Sequence, residues 1–168
     1  LANYGLISGM AMPLIMFPNI IVLTFSNLLI PELASFCVNS KFKSIKRITK
    51  KMIKFTMFFS VCIAVFLFIF SNKLGCLIYK SNSVSLYIKL LVPLIPIMYL
   101  DNVIDAVLKG LDKQVDVLKI NVLDLIFSII LLFWLIPKFG VIGYIFTIYC
   151  SELLNFLLSY RTLKSNNI

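Results

Sequence analysis

The sequence predicts an all-α integral membrane protein with five transmembrane helices. Its mean hydropathy is +1.01 and only 14% of its 168 residues are charged, against about 25% in an ordinary soluble domain. Several apolar runs approach about 20 residues, the length that crosses a bilayer as a helix. The run FTMFFSVCIAVFLFIF (55–70) is apolar all round, whereas strands of a membrane barrel alternate apolar and polar residues. Helices are therefore predicted rather than a barrel.

Five apolar segments give the predicted spans: 6–30, 55–71, 84–108, 115–136 and 140–160. The first is expected to stop at Pro31, and 72–83 reads as a partly apolar connection. The turns between the later spans are short, which predicts antiparallel neighbours. Prolines interrupt two spans, at Pro13, Pro18, Pro93 and Pro96. Proline frees backbone carbonyls at membrane depth, so these positions are either gating kinks or purely structural ones.

The stretch 41–54 predicts an amphipathic surface helix. Its apolar residues recur every three or four positions, which gives one apolar face: Phe42, Ile45, Ile48, Met52 and Phe55. Its cations are Lys41, Lys43, Lys46, Arg47, Lys50, Lys51 and Lys54. Such a helix is typical of the inner headgroup layer, where each cation gains about 1 kcal/mol from anionic lipids. No aromatic stacking platform or base-reading motif accompanies it, so nucleic acid is not expected as a partner.

The distribution of positive charge predicts the orientation in the membrane. With five spans, 41–54, 109–119 and 161–164 fall on one side and carry twelve Lys and Arg, while the other side carries four. Loops rich in Lys and Arg stay in the cytoplasm. The first span is thus expected to run from outside to inside, and the C-terminal tail to be cytoplasmic.

Polar residues within the spans mark candidate sites. The third span carries a row at four-residue spacing, Asp101, Asp105 and Lys109, and the fourth carries Asn121, Asp124 and Ser128. Glu152 lies about 18 Å into the last span, three residues before Asn155. Intramembrane acids are costly, at about 2.5–3.5 kcal/mol each on insertion scales. Two interpretations stay open: a structural charge network with Lys109, Lys113 or Lys119 as counter-charges, and a proton or cation relay.

A narrow polar stripe follows the first span. Ser8, Asn19 and Ser26 lie within about 20° of one another on a helix, flanked by Met12. A stripe of this kind either packs against another helix or lines a water-filled path. Both interpretations stay open.

The remaining composition argues against an enzyme and against a metal or other cofactor. The chain has no His, the commonest general base. Its four Cys are scattered without a metal-binding spacing. Asp101 with Asp105 is the only candidate pair for an enzyme site, and no DxD, HxxE or Ser-Lys arrangement and no Gly-rich phosphate loop supports it. The sequence begins LANYG, without an initiator Met or a signal peptide, which indicates part of a longer protein.

Two passages resemble a known group of transporters. GMAMPLIMFPNIIVLTFSNLLIPELAS (9–35) and LVPLIPIMYLDNVIDAVLKGLDKQ (91–114), followed by LIPKFGVIGYIF (135–146), resemble the multidrug/oligosaccharidyl-lipid/polysaccharide exporter superfamily. Within it, the sporulation-type polysaccharide exporters are the most similar branch. The resemblance covers essentially the whole chain and rests on the order of the motifs.

The resemblance implies a fold and a function. The five spans would be helices eight to twelve of a core of two six-helix lobes, and would form most of the C-terminal lobe. The first lobe and one helix of the second would belong to the rest of the same protein, with the first lobe as partner. The implied substrate is an undecaprenyl-linked saccharide, moved across the cell membrane without ATP hydrolysis. Lipid II flippases of the superfamily carry an Arg where this chain has Met12 and Pro13, which weakens a lipid II assignment. A multidrug or cation antiporter, and a membrane-bound glycosyl or phosphoryl transferase, are the alternatives.

Overall fold

A computed structural model describes residues 2–79 and 82–165, with side chains at 4–75 and 84–165. The described part is all helical, as predicted. The short helices α1 (Ala2–Leu6) and α2 (Met12–Met16) flank a π-helical turn (Ile7–Ala11). The long helices are α3 (Asn19–Val38) and α4 (Phe42–Tyr79). A 3₁₀ turn (Val92–Leu94) joins α5 (Asn82–Leu91) to α6 (Ile95–Gly110), and α7 (Gln114–Ser165) completes the chain.

α7 is a helical hairpin rather than one rod. At Gly140 the backbone adopts φ 55° and ψ −129°, a conformation that glycine tolerates best. The two legs, 114–139 and 141–165, then pack closely, because a Cβ atom on Gly143 would lie 2.6 Å from the Leu135 carbonyl oxygen. Helices α3 and α4, the segment Val84–Gly110 and α7 are each long and apolar enough to cross a membrane. With α7 folded back on itself they give five apolar segments of membrane-crossing length, and the first of them, α3 (Asn19–Val38), begins and ends later than the predicted segment 6–30.

Contacts along the helices fix an alternating antiparallel topology. Asn72 accepts a hydrogen bond from Ser85 (2.6 Å), while Phe59 stacks against Tyr99 with the ring centroids 6.5 Å apart. α4 therefore runs antiparallel to α5 and α6. α3 joins α4 through the short turn at 39–41, and the legs of α7 run in opposite directions.

The two ends of the bundle differ in charge. The turn at 39–41, the turn at 111–113 and the end of α7 share one end, since the last residue of α6, Gly110, packs on Leu33 near the end of α3. The three segments with twelve Lys and Arg belong to this basic end. Lys73, Lys89 and Lys138 lie toward the opposite end, and Lys80 falls outside the described residues.

α4 departs from the sequence-based expectation. Segment 41–54 was expected to form a surface helix and 72–83 a connection, but one helix runs unbroken from Phe42 to Tyr79. The reason is local, since no proline and only one glycine occur within it. The basic segment also packs inward, with Ile45 fully buried and Thr49 2% exposed. It therefore forms one helix with the apolar residues that follow it, rather than a separate surface helix.

α3 is longer than expected. The predicted stop at Pro31 is wrong, because α3 continues through this proline to Val38. A proline removes one backbone hydrogen bond of a helix, and Leu33, fully buried against Gly110, holds the following turn in place. The helix ends where the Asn39 side-chain amide donates to the Ser35 carbonyl (2.8 Å).

α6 forms the centre of the bundle, in contact with α3, α4 and α7. Its glycine end allows a close approach, since a Cβ atom on Gly110 would lie 2.8 Å from Leu33 Cβ. At the other end, the buried Tyr99 hydroxyl donates to the Ile15 carbonyl (2.7 Å). Because Pro18 lacks an N–H, α2 ends at Met16, and Tyr99 provides a partner for a carbonyl in its last turn.

Candidate functional site: a polar seam at the α7 hairpin

Polar side chains from three helical segments meet between α6 and the legs of α7. We call this group the polar seam, and its members are Asp101, Asp105, Asn121, Asp124, Ser128, Ser151, Glu152, Asn155 and Ser159. The two rows predicted on the third and fourth spans therefore do come together. The last span, in the second leg, lies between them and contributes the connecting residues.

The two legs of α7 are joined by side-chain hydrogen bonds. Ser128 Oγ donates to Ser151 Oγ (2.8 Å), and Ser151 Oγ donates to Asp124 Oδ1 (2.6 Å). One turn nearer the basic end, Asn155 Nδ2 donates to Asn121 Oδ1 at 3.3 Å. Hydrogen bonds of this type hold transmembrane helices together where lipid offers no hydrophobic driving force.

α6 meets the second leg through its carboxylates. Ser159, which is fully buried, donates to Asp105 Oδ1 at 3.4 Å. Asp101 is 8% exposed, and its Oδ1 atom has no hydrogen-bond partner among the described residues. Glu152 and Asp124 are both near enough to Asp101 to act on it electrostatically. The seam thus gathers four acids in a region that is largely apolar.

Only part of the predicted counter-charge is in place. Lys109 acts on Asp105 electrostatically, as the four-residue spacing predicted. Lys113 and Lys119 instead line a pocket at the basic end with Asp116 and Arg161. Among the described residues no group of Cys, Asp or Glu side chains is arranged to hold a metal ion.

Sequence reasoning missed Ser151 and Ser159. Together with Asn155 they recur every four residues, which places them on one face of the second leg. That spacing was available as a signal. It is inconspicuous because serine is common at ordinary helix interfaces in membranes, and only the fold shows that this face meets the acids of α6.

The polar stripe of the first span is divided between two environments. Asn19 and Ser26 are buried, 3% and 1% exposed, on the same face of α3 as Leu33, and neither Asn19 Oδ1 nor Ser26 Oγ has a partner in the described residues. Ser8 is exposed and donates to the Tyr4 carbonyl (2.9 Å). Met12 is half-buried. Packing against the core accounts for Asn19 and Ser26, and only Ser8 and Met12 reach a surface.

All four candidate kink prolines lie at or beside a helix break. Pro13 is in the first turn of α2, directly after the π-helical turn, and Pro18 separates α2 from α3. Pro93 is in the 3₁₀ turn and Pro96 begins α6. The broken segments are neighbours, since Tyr99 of α6 binds Ile15 of α2.

Comparison with known proteins agrees with the resemblance found in the sequence. Residues 1–134 match the MatE family. Over 164 residues the chain is 24% identical to Stage V sporulation protein B of Bacillus subtilis (strain 168), an alignment that covers 96% of this chain and 32% of that protein. The chain thus spans about a third of that relative's length. No solved structure matches it.

Proposed function

Because this chain belongs to the MatE family, within the multidrug/oligosaccharidyl-lipid/polysaccharide exporter superfamily, we propose that it is part of an exporter of lipid-linked saccharides. The substrate is an undecaprenyl-linked oligosaccharide or a peptidoglycan or polysaccharide precursor, moved to the outer leaflet for the cell envelope or the spore cortex. The observation that carries this proposal is the match to Stage V sporulation protein B along 96% of the chain. The protein acts in the bacterial cell membrane together with a first lobe of its own chain.

The charge at the basic end supports an orientation. Twelve Lys and Arg at one end, against four elsewhere, favour a cytoplasmic position for that end and for the C-terminal tail. Native cysteines test it, because Cys37 lies near the basic end of the bundle and Cys76 toward the opposite end of α4. A membrane-impermeant thiol reagent added to intact cells is expected to label Cys76 and to spare Cys37. Labelling of Cys37 alone would indicate the opposite orientation, with the basic end outside the cell.

The polar seam is the proposed coupling element. Carboxyls joined through serine and asparagine side chains can take up and pass on a proton, or hold a small cation weakly, as the hairpin moves. An anionic diphosphate head group prefers cations, so these carboxylates are better suited to coupling than to substrate binding. Ser8 and Met12, near the prolines of the first span, are the proposed contribution to the substrate path.

The decisive experiment measures which leaflet exposes the substrate. Vesicles that contain undecaprenyl-linked saccharide, with or without the complete protein, are probed with an impermeant saccharide-binding reagent. We expect the protein to make inner-leaflet substrate accessible from outside. Asp105→Asn should slow this exchange, whereas Asp116→Asn, outside the seam, should not. Unchanged accessibility with the wild-type protein would contradict the proposal.

A multidrug or cation antiporter is the second candidate, because the same family match supports it. The two functions separate in the same vesicles. An antiporter would move a cationic dye against an imposed Na⁺ or proton gradient and leave the saccharide in place. A membrane-bound transferase, the third possibility, would instead change the chemical identity of the saccharide, which chromatography of the extracted lipid detects.

A further inference from the structure

A groove between α4 and α6 has cationic and apolar ends. Its volume is about 580 Å³, within the range of about 300–1,000 Å³ of ligand pockets. Lys50 and Lys54 lie at the end toward the basic pole of the bundle. The walls beyond them are apolar and come from both helices: Met57, Phe58, Val61 and Leu100.

Within the described part of the chain, the two lysines have no acidic partner. No acidic side chain lines this groove, and among the described residues neither Lys50 nor Lys54 forms a salt bridge. A second groove, of about 430 Å³ between α3 and α4, contains one lysine, Lys51, but also Glu32. The pocket at the end of α7 likewise includes an acid, Asp116. That pocket is still net cationic, because Lys113, Lys119 and Arg161 outnumber Asp116, but just one of the described residues that line it, Ile120, is apolar. Of these three, the α4–α6 groove is therefore the one that combines unopposed cations with an apolar wall.

The order of the lining residues matches the order of groups in a lipid. At 1.5 Å per residue, Lys50 and Val61 are about 16 Å apart along α4. The two lysines occupy about the first 6 Å of this distance, and apolar side chains occupy the remaining ~10 Å. Met57 is 48%, Phe58 73% and Val61 43% exposed, so the walls are open to an incoming chain. A phosphate at the lysines would direct its acyl chain along these residues.

We propose that this groove binds an anionic phospholipid, with its phosphate between Lys50 and Lys54 and an acyl chain against Met57, Phe58 and Val61. Basic pockets between transmembrane helices are established sites for anionic head groups. The apolar wall beyond Lys54 extends about 10 Å along α4 to Val61. It is much shorter than a polyisoprenoid tail, which favours a phospholipid over the isoprenoid carrier. The inference does not depend on the proposed transport function.

The test measures lipid retention in the complete protein. The protein is purified in detergent with equal mole fractions of dioleoylphosphatidylglycerol and dioleoylphosphatidylcholine, and bound lipid is counted by native mass spectrometry. We expect the wild-type protein to retain phosphatidylglycerol selectively. The K50Q/K54Q variant should retain about tenfold less phosphatidylglycerol than the wild type. The control K41Q/K51Q removes the same charge from other faces of the segment and should retain the lipid.

Two further arms separate the alternatives. Val61→Trp fills the groove without removing charge and should also abolish retention. Undecaprenyl phosphate at an equal mole fraction should not displace phosphatidylglycerol. If neither K50Q/K54Q nor Val61→Trp reduces phosphatidylglycerol retention, or if only one of them does, the proposed lipid site in the groove is wrong. An equal loss in K41Q/K51Q would show that any charge on α4 suffices and would overturn it as well. Displacement by undecaprenyl phosphate would identify the isoprenoid carrier as the occupant instead of a phospholipid.

Discussion

The two sides of α6 are held to their neighbours by different interactions. Toward α3 and α4 the contacts are close and apolar, with Gly110 against Leu33 and Tyr99 stacked on Phe59. Toward the α7 hairpin the contact includes carboxylates and hydroxyls, with Asp105 accepting from Ser159. Lipid removes the hydrophobic driving force between helices, so shape fit holds the first side and hydrogen bonds contribute to the second.

This difference suggests which parts move. A close-packed apolar contact has one good arrangement, because any shift opens voids or creates clashes. A polar contact has several, since hydroxyls rotate and a carboxyl can gain or lose a proton. We therefore propose that the α3–α4–α6 unit is the rigid part of the bundle, and that the α7 hairpin is the part whose position a proton or cation changes. The following predictions test this contrast.

The largest effect is expected where the apolar side is tightest. In Gly110→Ala the new Cβ would lie 2.8 Å from Leu33 Cβ and 3.2 Å from the Ile30 carbonyl oxygen. Overpacking of this kind lowers the free energy of unfolding by about 1–3 kcal/mol. The matched control is Gly9→Ala, whose Cβ meets nothing within 4 Å. Thermal unfolding in detergent compares them, and equal stability of the two variants would refute the close packing.

A smaller effect is expected at the hydrogen bond between α6 and the first span. Tyr99→Phe keeps the ring but leaves the buried Ile15 carbonyl without its donor. We expect a loss of about 1 kcal/mol in unfolding free energy. Tyr149→Phe removes a similar bond, to the Leu90 carbonyl, at a more exposed position.

The Tyr149→Phe variant should therefore lose less stability than Tyr99→Phe in the same assay. If the two variants lose equal amounts, burial does not strengthen the bond to Ile15. Only an unchanged stability of Tyr99→Phe would mean that the rigid unit depends on packing alone and that the break at Pro18 needs no support from α6.

The sequence predicted these two sides to different extents. Span number, order and the basic end follow from hydropathy and charge, which the bilayer enforces on every residue. The reversal at Gly140 was also foreseeable, from Pro137 and the short turn. The continuation of α3 past Pro31 was not, because it depends on the contact of Leu33 with Gly110, 77 positions away in the chain. In the polar seam, the acids could be identified from the sequence because an acidic side chain within a membrane span carries a high free-energy cost. Ser151 and Ser159 carry no such signal.

The smallest change in stability is expected in the seam, and with the opposite sign. Asp101 places an unpartnered carboxylate oxygen near three other acids. Asp101→Asn keeps the size of the side chain and removes the repulsion, so the unfolding free energy should rise by about 0.5 kcal/mol. Asp116→Asn should not stabilise the protein, because Asp116 lies among Lys113, Lys119 and Arg161.

A protein that keeps buried acids at the expense of stability uses those acids for a function other than holding the fold together. We therefore expect Asp101→Asn to slow substrate exchange in vesicles while it raises the unfolding temperature. A variant that is less stable but transports normally would assign Asp101 to structure, and the polar side of α6 would then be as fixed as the apolar one.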